Sequence, residues 1–427
     1  MNSRHNRRDF VKRTTVFSFG LAAAPLVSRG QTTKSPGEKL IVGVMGLGRG
    51  LDHVKAVQQI ANVEIAYVAD IDDVRIATAQ KSALAKSEKP PKAVKDFRRI
   101  LDDKDVDALF IAAPNHWHTP ATILACSAGK HVYVEKPASH NAHESELIVQ
   151  AARKNNRIVQ MGNQRRSAPA IMEGVQKLRE GVIGKVLFAR CWYDNARASI
   201  GRGKQVPVPA NIDYSMWQGP APERPYVDNL VHYNWHWRWH WGGGELANNG
   251  IHYLDVARWG LGVEYPTRIT CNGGRYHYDD DQETPDTTIA TFHFGDKGIM
   301  WDASSCNPRK IEKHPAVAWY GEKGMMTQDG DGYKIFDPAG KQIGEGTAPG
   351  GDKVHMGNFL DAIRGNAKPN SEIAVGQTST LLCHLGNIAY RTGHTIHFDP
   401  ASRRIVGDKE ADKLWAREYC QGWEPKV

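Results

Sequence analysis

The sequence lacks the features that mark several classes of protein. It has no apolar run of the roughly 18 residues that a membrane-spanning helix requires. It contains no internal repeat, no low-complexity segment and no pair of cysteines in a C-x-x-C arrangement. Its 427 residues are 41 % hydrophobic and 24 % charged, which excludes disordered and collagen-like chains and allows two or three domains.

Cysteine is scarce, and its spacing is uninformative. The 6 cysteines are widely separated, so they give no pattern typical of a metal or redox site. A chain of this length can bury a sizeable core without disulfide bonds. We therefore expect the cysteines to behave as small hydrophobic side chains, and we predict no metal site.

The positive charge is concentrated at the beginning of the chain. The formal net charge is +8, but residues 1–30 hold six basic residues and only one acid, Asp9. A basic head followed by a weakly apolar stretch and small residues is the layout of a signal peptide. The segment Asn6–Lys12 resembles the twin-arginine export signal, although Asn6 stands where that signal favours Ser or Thr. We expect residues 1–30 to direct export to the periplasm or the extracellular space and then to be removed. The remaining chain is close to neutral, which gives no reason to expect a nucleic-acid partner.

Short apolar strands alternate with helical segments between residues 39 and 162. The predicted strands are 40–45, 63–69, 93–97, 106–113, 131–134 and 158–161, and three of the predicted helices are 72–86, 119–128 and 143–155. Thr119 is a candidate N-cap, with Pro120 at the first helical position. After a polar linker at 31–38, residues 39–162 are thus predicted to form a doubly wound α/β domain with a parallel sheet.

Strands follow one another after about residue 185. We predict strands at 186–193, 267–271, 288–294, 298–304 and 316–320, with helices at 355–363 and 379–391. This order indicates that residues 163–427 form a second α/β domain on an open, mostly antiparallel sheet. Such a sheet offers a surface for pairing, so a homo-oligomer, either a dimer or a tetramer, is compatible with the sequence.

A glycine-rich turn follows the first predicted strand and precedes a helix. Gly46 and Gly48 fill the first two positions of a G-x-G-x-x-G motif, whereas Gly50 lies one residue before the third. Such a turn lets the backbone approach a pyrophosphate at the N-terminus of the next helix. Asp70 closes the second strand, where an acid accepts hydrogen bonds from ribose hydroxyls and repels a 2′-phosphate. We therefore predict NAD rather than NADP as the cofactor, with Arg49 as a further contact that could soften this preference.

Polar side chains cluster where the fourth and fifth strands end. Asn115 and His118 follow the fourth strand, and Glu135 and Lys136 follow the fifth. Ligands gather at the carboxyl ends of strands in an open α/β sheet, so these residues are predicted to line the cofactor site. A metal at the two neighbouring histidines, 116 and 118, would need a third ligand that the sequence does not supply.

These motifs together resemble the glucose–fructose oxidoreductase/inositol dehydrogenase/rhizopine-catabolism (Gfo/Idh/MocA) family. The resemblance rests on the glycine turn, Asp70, the segment Glu135–Pro137 and the segment Gly242–Asp255, and it covers residues 39–427. It implies a Rossmann domain followed by a C-terminal domain whose open sheet walls the substrate site. It also implies that Lys136 contacts the substrate hydroxyl and that the residues at 248 and 252 assist proton transfer.

The sequence departs from the family pattern at one of these positions. Asn248 stands where the family has an aspartate, so no carboxylate is available there to orient His252. On a helix, positions 248, 252 and 255 share one face, and we expect Asp255 to take over the orienting role. A packed core histidine is the alternative interpretation of His252.

Further candidates flank these motifs. A run from Trp235 to Trp241 places a tryptophan at every second position, so in an extended strand all four indoles share one face. We predict that Trp237 and Trp239 contact a sugar ring, and core packing between domains is the alternative. Gln164 and Arg165 follow the sixth strand and are assigned to the cofactor and the substrate respectively.

The predicted function is that of an exported NAD-dependent oxidoreductase acting on a hydroxyl of a sugar, polyol or glycoside. Outside the cytoplasm no nicotinamide pool is available, so the cofactor is expected to be tightly bound and recycled. An NAD-dependent glycoside hydrolase that works by transient oxidation and elimination is an alternative. A non-enzymatic sugar- or nucleotide-binding protein is a second alternative, which Lys136 and His252 disfavour.

Overall fold

The computed structural model describes residues 38–427. The predicted signal peptide, together with almost all of the predicted linker, lies outside the described residues. In the part that is described, no helix is both long and apolar enough to cross a membrane. All cysteines are free, and all but Cys420 are buried, as is usual for small hydrophobic side chains.

A parallel six-stranded sheet forms the first half of the described chain. Its strands are β1 Leu40–Met45, β2 Val63–Ala69, β3 Lys92–Val94, β4 Ala108–Ile111, β5 His131–Val134 and β6 Val159–Met161, in the order β3-β2-β1-β4-β5-β6. The helices are α1 Gly50–Val57, α2 Asp73–Leu84, α3 Arg98–Asp102, α4 Asn115–Ser127 and α5 Ala142–Lys154. The strand order reverses between β1 and β4, so these two strands open a crevice at their carboxyl ends. The predicted doubly wound α/β domain is confirmed.

Helix α4 begins earlier than the sequence predicts. It starts at Asn115, so Pro120 lies inside the helix and not at its first position. The Thr119 hydroxyl donates to the Ala138 carbonyl at 3.2 Å and does not cap a helix start. The prediction placed the helix start at Thr119 because a proline at position 120 is typical of a first helical residue. The helix instead begins directly after Pro114, close to the end of β4.

A ten-stranded sheet dominates the second half. Its strands are β7 Val186–Asp194, β8 Arg268–Gly274, β9 Thr287–Phe294, β10 Lys297–Ser304, β11 Val317–Gly321, β12 Gly324–Asp329, β13 Gly332–Phe336, β14 Gln342–Thr347, β15 Ile396–Asp399 and β16 Arg404–Ile405. The pairing is antiparallel except between β7 and β10, which confirms the mostly antiparallel sheet. The helices are α6 Pro169–Arg179, α7 Tyr214–Gln218, α8 Ile251–Leu261, α9 Asp352–Ile363, α10 Ile373–Thr392 and α11 Lys409–Lys413.

Helix α9 returns to the first sheet although it is late in the sequence. Its Phe359 packs edge-on against Phe110 of β4 at a ring distance of 5.5 Å and also approaches Tyr133 of β5. Full burial of such aromatic side chains stabilises the fold by about 2 kcal/mol each. The return of α9 also carries Asp352 to the glycine turn, where it takes part in the site.

Candidate active site

A cavity of about 420 Å³ opens at the carboxyl ends of the parallel strands. The first half of the chain contributes the glycine turn, Asp70, Asn115, Glu135 and Lys136 to its walls. The second half contributes Gln164, Asn248 and His252, among others. The structure therefore brings together most of the residues that the sequence assigns to cofactor and catalysis.

The glycine turn has the shape that a dinucleotide cradle requires. Gly46 has φ +82°, and a Cβ there would lie 2.6 Å from the Ala112 backbone, so only glycine fits. Gly50 is the first residue of α1, where a Cβ would come within 3.1 Å of Val44 Cγ1. Gly50 thus permits the close helix–strand packing expected of the third glycine, despite its shift by one residue. The residues present fit a pyrophosphate at the start of α1.

Asp70 is held rigidly at the edge of the same cavity. Its Oδ2 accepts a hydrogen bond from Leu47 N at 2.6 Å, and its Oδ1 accepts one from Asp72 N at 3.0 Å. Burial raises the pKa of Asp70, while the Leu47 N–H and the nearby Arg75 guanidinium oppose that rise. A fixed carboxylate here suits the ribose hydroxyls of an adenosine.

Arg49 is tied to carboxylates from two other elements. Its Nε lies 3.1 Å from Glu135 Oε1, and its Nη2 lies 2.5 Å from Asp352 Oδ1. His53 Nε2 also contacts Glu135 Oε1 at 2.9 Å. Burial alone would raise the pKa of Glu135, but His53, Arg49 and Lys136 together lower it. Arg49 lines the cavity, so its contact with the cofactor stays a prediction, and its guanidinium is already paired with two carboxylates.

Lys136 lies at the centre of the predicted catalytic group. Its Nζ donates to the Asn248 backbone carbonyl at 2.7 Å and to Asn248 Oδ1 at 3.0 Å. Burial lowers the pKa of Lys136, and Glu135 and Glu245 oppose that shift. The two acceptors on Asn248 match the two N–H bonds of a neutral amine, which leaves its lone pair for a substrate proton.

His252 is adjacent to this lysine. Burial lowers the pKa of His252 well below 6.5, and Lys136 and Arg165 lower it further, so the imidazole is neutral. Its buried Nδ1 has no hydrogen-bond partner in the described structure. A buried unpaired nitrogen is costly unless a ligand satisfies it, which favours a functional position over a packed core histidine.

Asp255 does not orient His252, contrary to the sequence-based expectation. Both carboxylate oxygens accept hydrogen bonds from Arg166, at 2.8 to 3.0 Å, and Ser379 donates to Oδ1 at 2.6 Å. The segment Leu246–Gly250 is a π-helix that runs into α8. Its wider i→i+5 spacing shifts Asn248 relative to the face of α8 that carries His252 and Asp255. Asp255 is instead engaged by Arg166 and Ser379.

Of the other predicted cofactor and substrate residues, His118 and Gln164 line the cavity, whereas Arg165 is not among its lining residues. His118 lies between the Pro137 and Ala113 carbonyl oxygens, 2.5 and 2.8 Å from its ring nitrogens, and so braces the loop that carries Lys136. Gln164 lines the cavity, and its buried Oε1 has no partner among the described atoms. The guanidinium of Arg165 stacks over the ring of Tyr253 at 4.6 Å.

The tryptophan run is not an extended strand. Asn234–Trp237 is a short 3₁₀ turn, so the four indoles point in different directions. Trp237 is only 1 % exposed, and the guanidinium of Arg197 stacks over its ring at 3.9 Å. This burial agrees with the alternative interpretation, in which the tryptophan packs in the core. Trp239 lines a different cavity, and Trp235 instead reaches the cofactor cavity. The prediction that all four indoles share one face was wrong because it required an extended β backbone over this run.

A segment of which the sequence analysis assigned only two tryptophans to the site covers one side of the cofactor cavity. We call residues 211–241 the strap. It has its own apolar cluster, which includes Tyr214, Trp217 and Trp241. Its residues that line the cavity are Met216, Trp217, His232, Tyr233, Trp235 and His236. Local sequence patterns could not reveal this, since the strap reaches the site only through the tertiary fold.

Polar contacts fasten the strap to the first sheet. Asn211 Nδ2 donates to Asp72 Oδ1 at 2.8 Å, and His232 Nε2 lies 3.0 Å from Asp72 Oδ2. The Trp217 carbonyl accepts hydrogen bonds from His116 Nε2 at 2.8 Å and Trp117 Nε1 at 3.0 Å. These contacts hold the strap against one side of the cavity.

The fold and the cavity define a nicotinamide-dinucleotide-binding oxidoreductase. Residues 39–163 match the oxidoreductase family model described as an NAD-binding Rossmann fold, and residues 192–425 match the C-terminal alpha/beta domain model. The chain belongs to the Gfo/Idh/MocA oxidoreductase family.

Relatives within the family differ in their named activities. The chain is 31 % identical over 160 residues to inositol 2-dehydrogenase of Salmonella typhimurium, covering 37 % of this chain and 46 % of that enzyme. It is 23 % identical over 426 residues to a glycosyl hydrolase family 109 protein of Parabacteroides distasonis, covering 86 % and 89 % of the two chains. The solved aldose-aldose oxidoreductase of Caulobacter crescentus superposes with a TM-score of 0.66 at 20 % identity, over 84 % of this chain and 100 % of that one.

Proposed function

We propose that the chain is an NAD-dependent oxidoreductase acting on a secondary hydroxyl of a sugar, polyol or glycoside. The observation that carries the proposal is the pairing of Lys136 with Asn248 beside the neutral His252, within the cavity that the glycine turn and Asp70 open. A bound nicotinamide would supply the hydride acceptor. The fixed carboxylate of Asp70 favours NAD over NADP.

Lys136 is the group that accepts the proton of the substrate hydroxyl in this proposal. A neutral amine held by both Asn248 acceptors presents its lone pair to a substrate hydroxyl, accepts its proton and becomes an ammonium ion. Burial makes the neutral form accessible by lowering the pKa of Lys136. His252, neutral and with an unpaired Nδ1, can bind the same hydroxyl or its neighbour. Proton transfer by a positioned group accelerates such reactions by roughly 10² to 10⁴.

We further propose that the cofactor is retained and recycled in each turnover. The strap supports this, because its contacts to Asp72, His116 and Trp117 hold it against one side of the cavity. Retention suits a protein that is exported with its cofactor already bound. Export itself is tested by replacing Arg7 and Arg8 together with lysine and comparing the protein in periplasmic and cytoplasmic fractions.

A hydrolytic variant of the same chemistry is the second candidate. The alignment with a glycosyl hydrolase family 109 protein spans most of both chains, which favours it. In that scheme, transient oxidation of a hydroxyl acidifies the neighbouring C–H, the glycosidic group is eliminated, water adds and the ketone is reduced again.

The two candidates are separated by their products. Purified protein is incubated, without added nucleotide, with free sugars plus a carbonyl acceptor and, separately, with aryl glycosides. A ketosugar or lactone formed together with reduced acceptor supports the oxidoreductase, whereas released aglycone with no net oxidation supports the hydrolase. Failure of both panels with folded, NAD-loaded protein would contradict the proposal.

A further inference from the structure

A second cavity lies behind the catalytic segments. Its volume is about 410 Å³, and its walls come from residues 140–142, 222–224, 239–243, 384–391 and 414–418. His140 follows Lys136 by four residues, and Gly243 precedes Asn248 by five. The two segments that carry the active site thus continue directly into this wall.

Three arginines that lack a carboxylate partner border this cavity. Within the described chain, none of the three forms a salt bridge, whereas most other described arginines near acids do. Each guanidinium instead lies over an aromatic ring: Arg224 over Trp241 at 5.7 Å, Arg391 over Trp239 at 5.1 Å and Arg417 over Tyr419 at 5.5 Å. Such stacking holds a cation in place without using its hydrogen-bond donors. In Arg417, Nε donates to the Glu418 carbonyl at 3.1 Å and Nη1 contacts His140 Nδ1 at 3.1 Å, so Nη2 is the nitrogen left to face the cavity.

The positive charges reinforce one another. Burial lowers the pKa of Arg417, Glu144 opposes that shift, and the nearby Arg224 adds to it. The buried Glu144 is close, but its oxygens accept hydrogen bonds from His140 N at 2.9 Å and the Tyr419 hydroxyl at 2.8 Å. A half-buried guanidinium beside a like charge is costly unless an anion neutralises it.

The remaining polar groups at the cavity add little opposing charge. His240 has its pKa lowered to about 4 by burial, and its Nε2 donates to the Pro222 carbonyl at 2.7 Å. Glu223 and Glu418 also border the cavity, but both are exposed, so water screens their charge. Trp239 is partly exposed and offers an apolar face of the kind that pyranose rings pack against.

We propose that this cavity binds an oxyanion carried by a small carbohydrate, such as a uronic acid or a sugar sulfate or phosphate, between Arg224 and Arg417. Arg391 and Trp239 border the part of the cavity that would hold the sugar ring. The site is distinct from the dinucleotide cavity, and the proposal does not depend on which reaction the chain catalyses.

Calorimetric titration of the protein as purified tests this proposal. The probes are D-glucuronate, sodium sulfate and, as the neutral match, D-glucose. We expect D-glucuronate to bind and Arg417→Gln and Arg224→Gln each to weaken its binding by roughly tenfold, since each removes one charge-assisted contact. Arg417→Lys should restore part of the affinity. Arg224 is exposed, so its variant keeps the test informative even if the Arg417 variants fail to fold.

Two controls locate the binding. Arg268→Gln, on the exposed face of β8, and Lys136→Met, in the active site, should both bind D-glucuronate as the unsubstituted protein does. Sulfate binding as tight as that of D-glucuronate would assign the cavity to free inorganic anions and overturn the carbohydrate part of the proposal. Equal D-glucuronate affinity in the unsubstituted protein and the Arg224 variant, or loss of binding in Lys136→Met alone, would overturn the site itself.

Discussion

At the residue scale, the proposed chemistry depends on an amine that can be neutral at physiological pH. Burial shifts the pKa of Lys136 toward that condition against the opposing effect of Glu135 and Glu245. Asn248, unlike an aspartate, offers acceptors without adding a negative charge. The same argument explains how the site can function although the family's aspartate is absent at position 248.

Replacing the amine should slow turnover strongly without affecting the fold of the cofactor site. We expect Lys136→Met to lower kcat by roughly 10² to 10⁴, because the group that accepts the hydroxyl proton is lost. Bound NAD, quantified after denaturation, should stay at its unsubstituted level. Lys154→Met, at an exposed position on α5, is the matched control and should leave kcat unchanged. Unchanged turnover in the Lys136 variant would remove Lys136 from the chemistry.

Restoring a carboxylate next to the amine should shift the pH dependence. In Asn248→Asp, the added charge stabilises the ammonium form and raises the pKa of Lys136, so the acidic limb of kcat against pH should move upward by about one unit. Asn248→Ala keeps the backbone acceptor and adds no charge, and it should show no upward shift. An acidic limb at the same pH in all three proteins would show that Lys136 is not the titrating base.

At the scale of elements, the strap converts an open crevice into an enclosed one. Asn211 fastens it to Asp72 but does not itself line the cavity. Asn211→Ala should therefore speed NAD dissociation by roughly fivefold, the equivalent of one lost hydrogen bond of about 1 kcal/mol. Asn366→Ala, at an exposed loop position, is the control. The measurement is the rate of NAD release, followed by capture of the released NAD on an excess of a second, cofactor-free dehydrogenase. Equal release rates in the two variants would show that the strap does not limit NAD dissociation.

The elements differ in how well the sequence predicts them. Apolar runs bounded by glycine and by polar residues located β1, β2, β4 and β5, because buried parallel strands need little beyond hydrophobicity. The strap and the edge strands β12–β14 were not predicted, since their positions depend on distant partners. The prediction for the tryptophan run was wrong because it assumed a strand where the backbone forms a 3₁₀ turn. The prediction for Asp255 was wrong because Arg166 and Ser379, both distant in the sequence, pair with its carboxylate.

At the scale of the whole molecule, buried histidines should make the fold sensitive to acid. Burial lowers the pKa of His116, His140 and His252 well below 6.5, and that of His355 to about 4. In the unfolded chain these imidazoles protonate near 6.5. Between the folded and unfolded pKa values the unfolded chain binds more protons, so the free energy of unfolding must fall as the pH falls.

The size of this effect is measurable by chemical denaturation. Well below pH 6.5, each such histidine lowers stability by about 1.4 kcal/mol per pH unit. We expect the guanidinium chloride midpoint to decrease steadily from pH 7.5 to pH 5. A midpoint that is constant or rises across this range would show that the histidines are not buried in their neutral form.

The central claim is that one enclosed dinucleotide serves repeated oxidation of a carbohydrate hydroxyl. The most direct test is to free the purified protein of unbound nucleotide by gel filtration, add a sugar or glycoside without NAD, and record reduced-nicotinamide fluorescence. The predicted result is a rapid signal that approaches one reduced cofactor per chain, absent in Lys136→Met, with NAD released only on denaturation. Folded protein that yields no nucleotide on denaturation, and that shows no such signal even with added NAD, would contradict the claim.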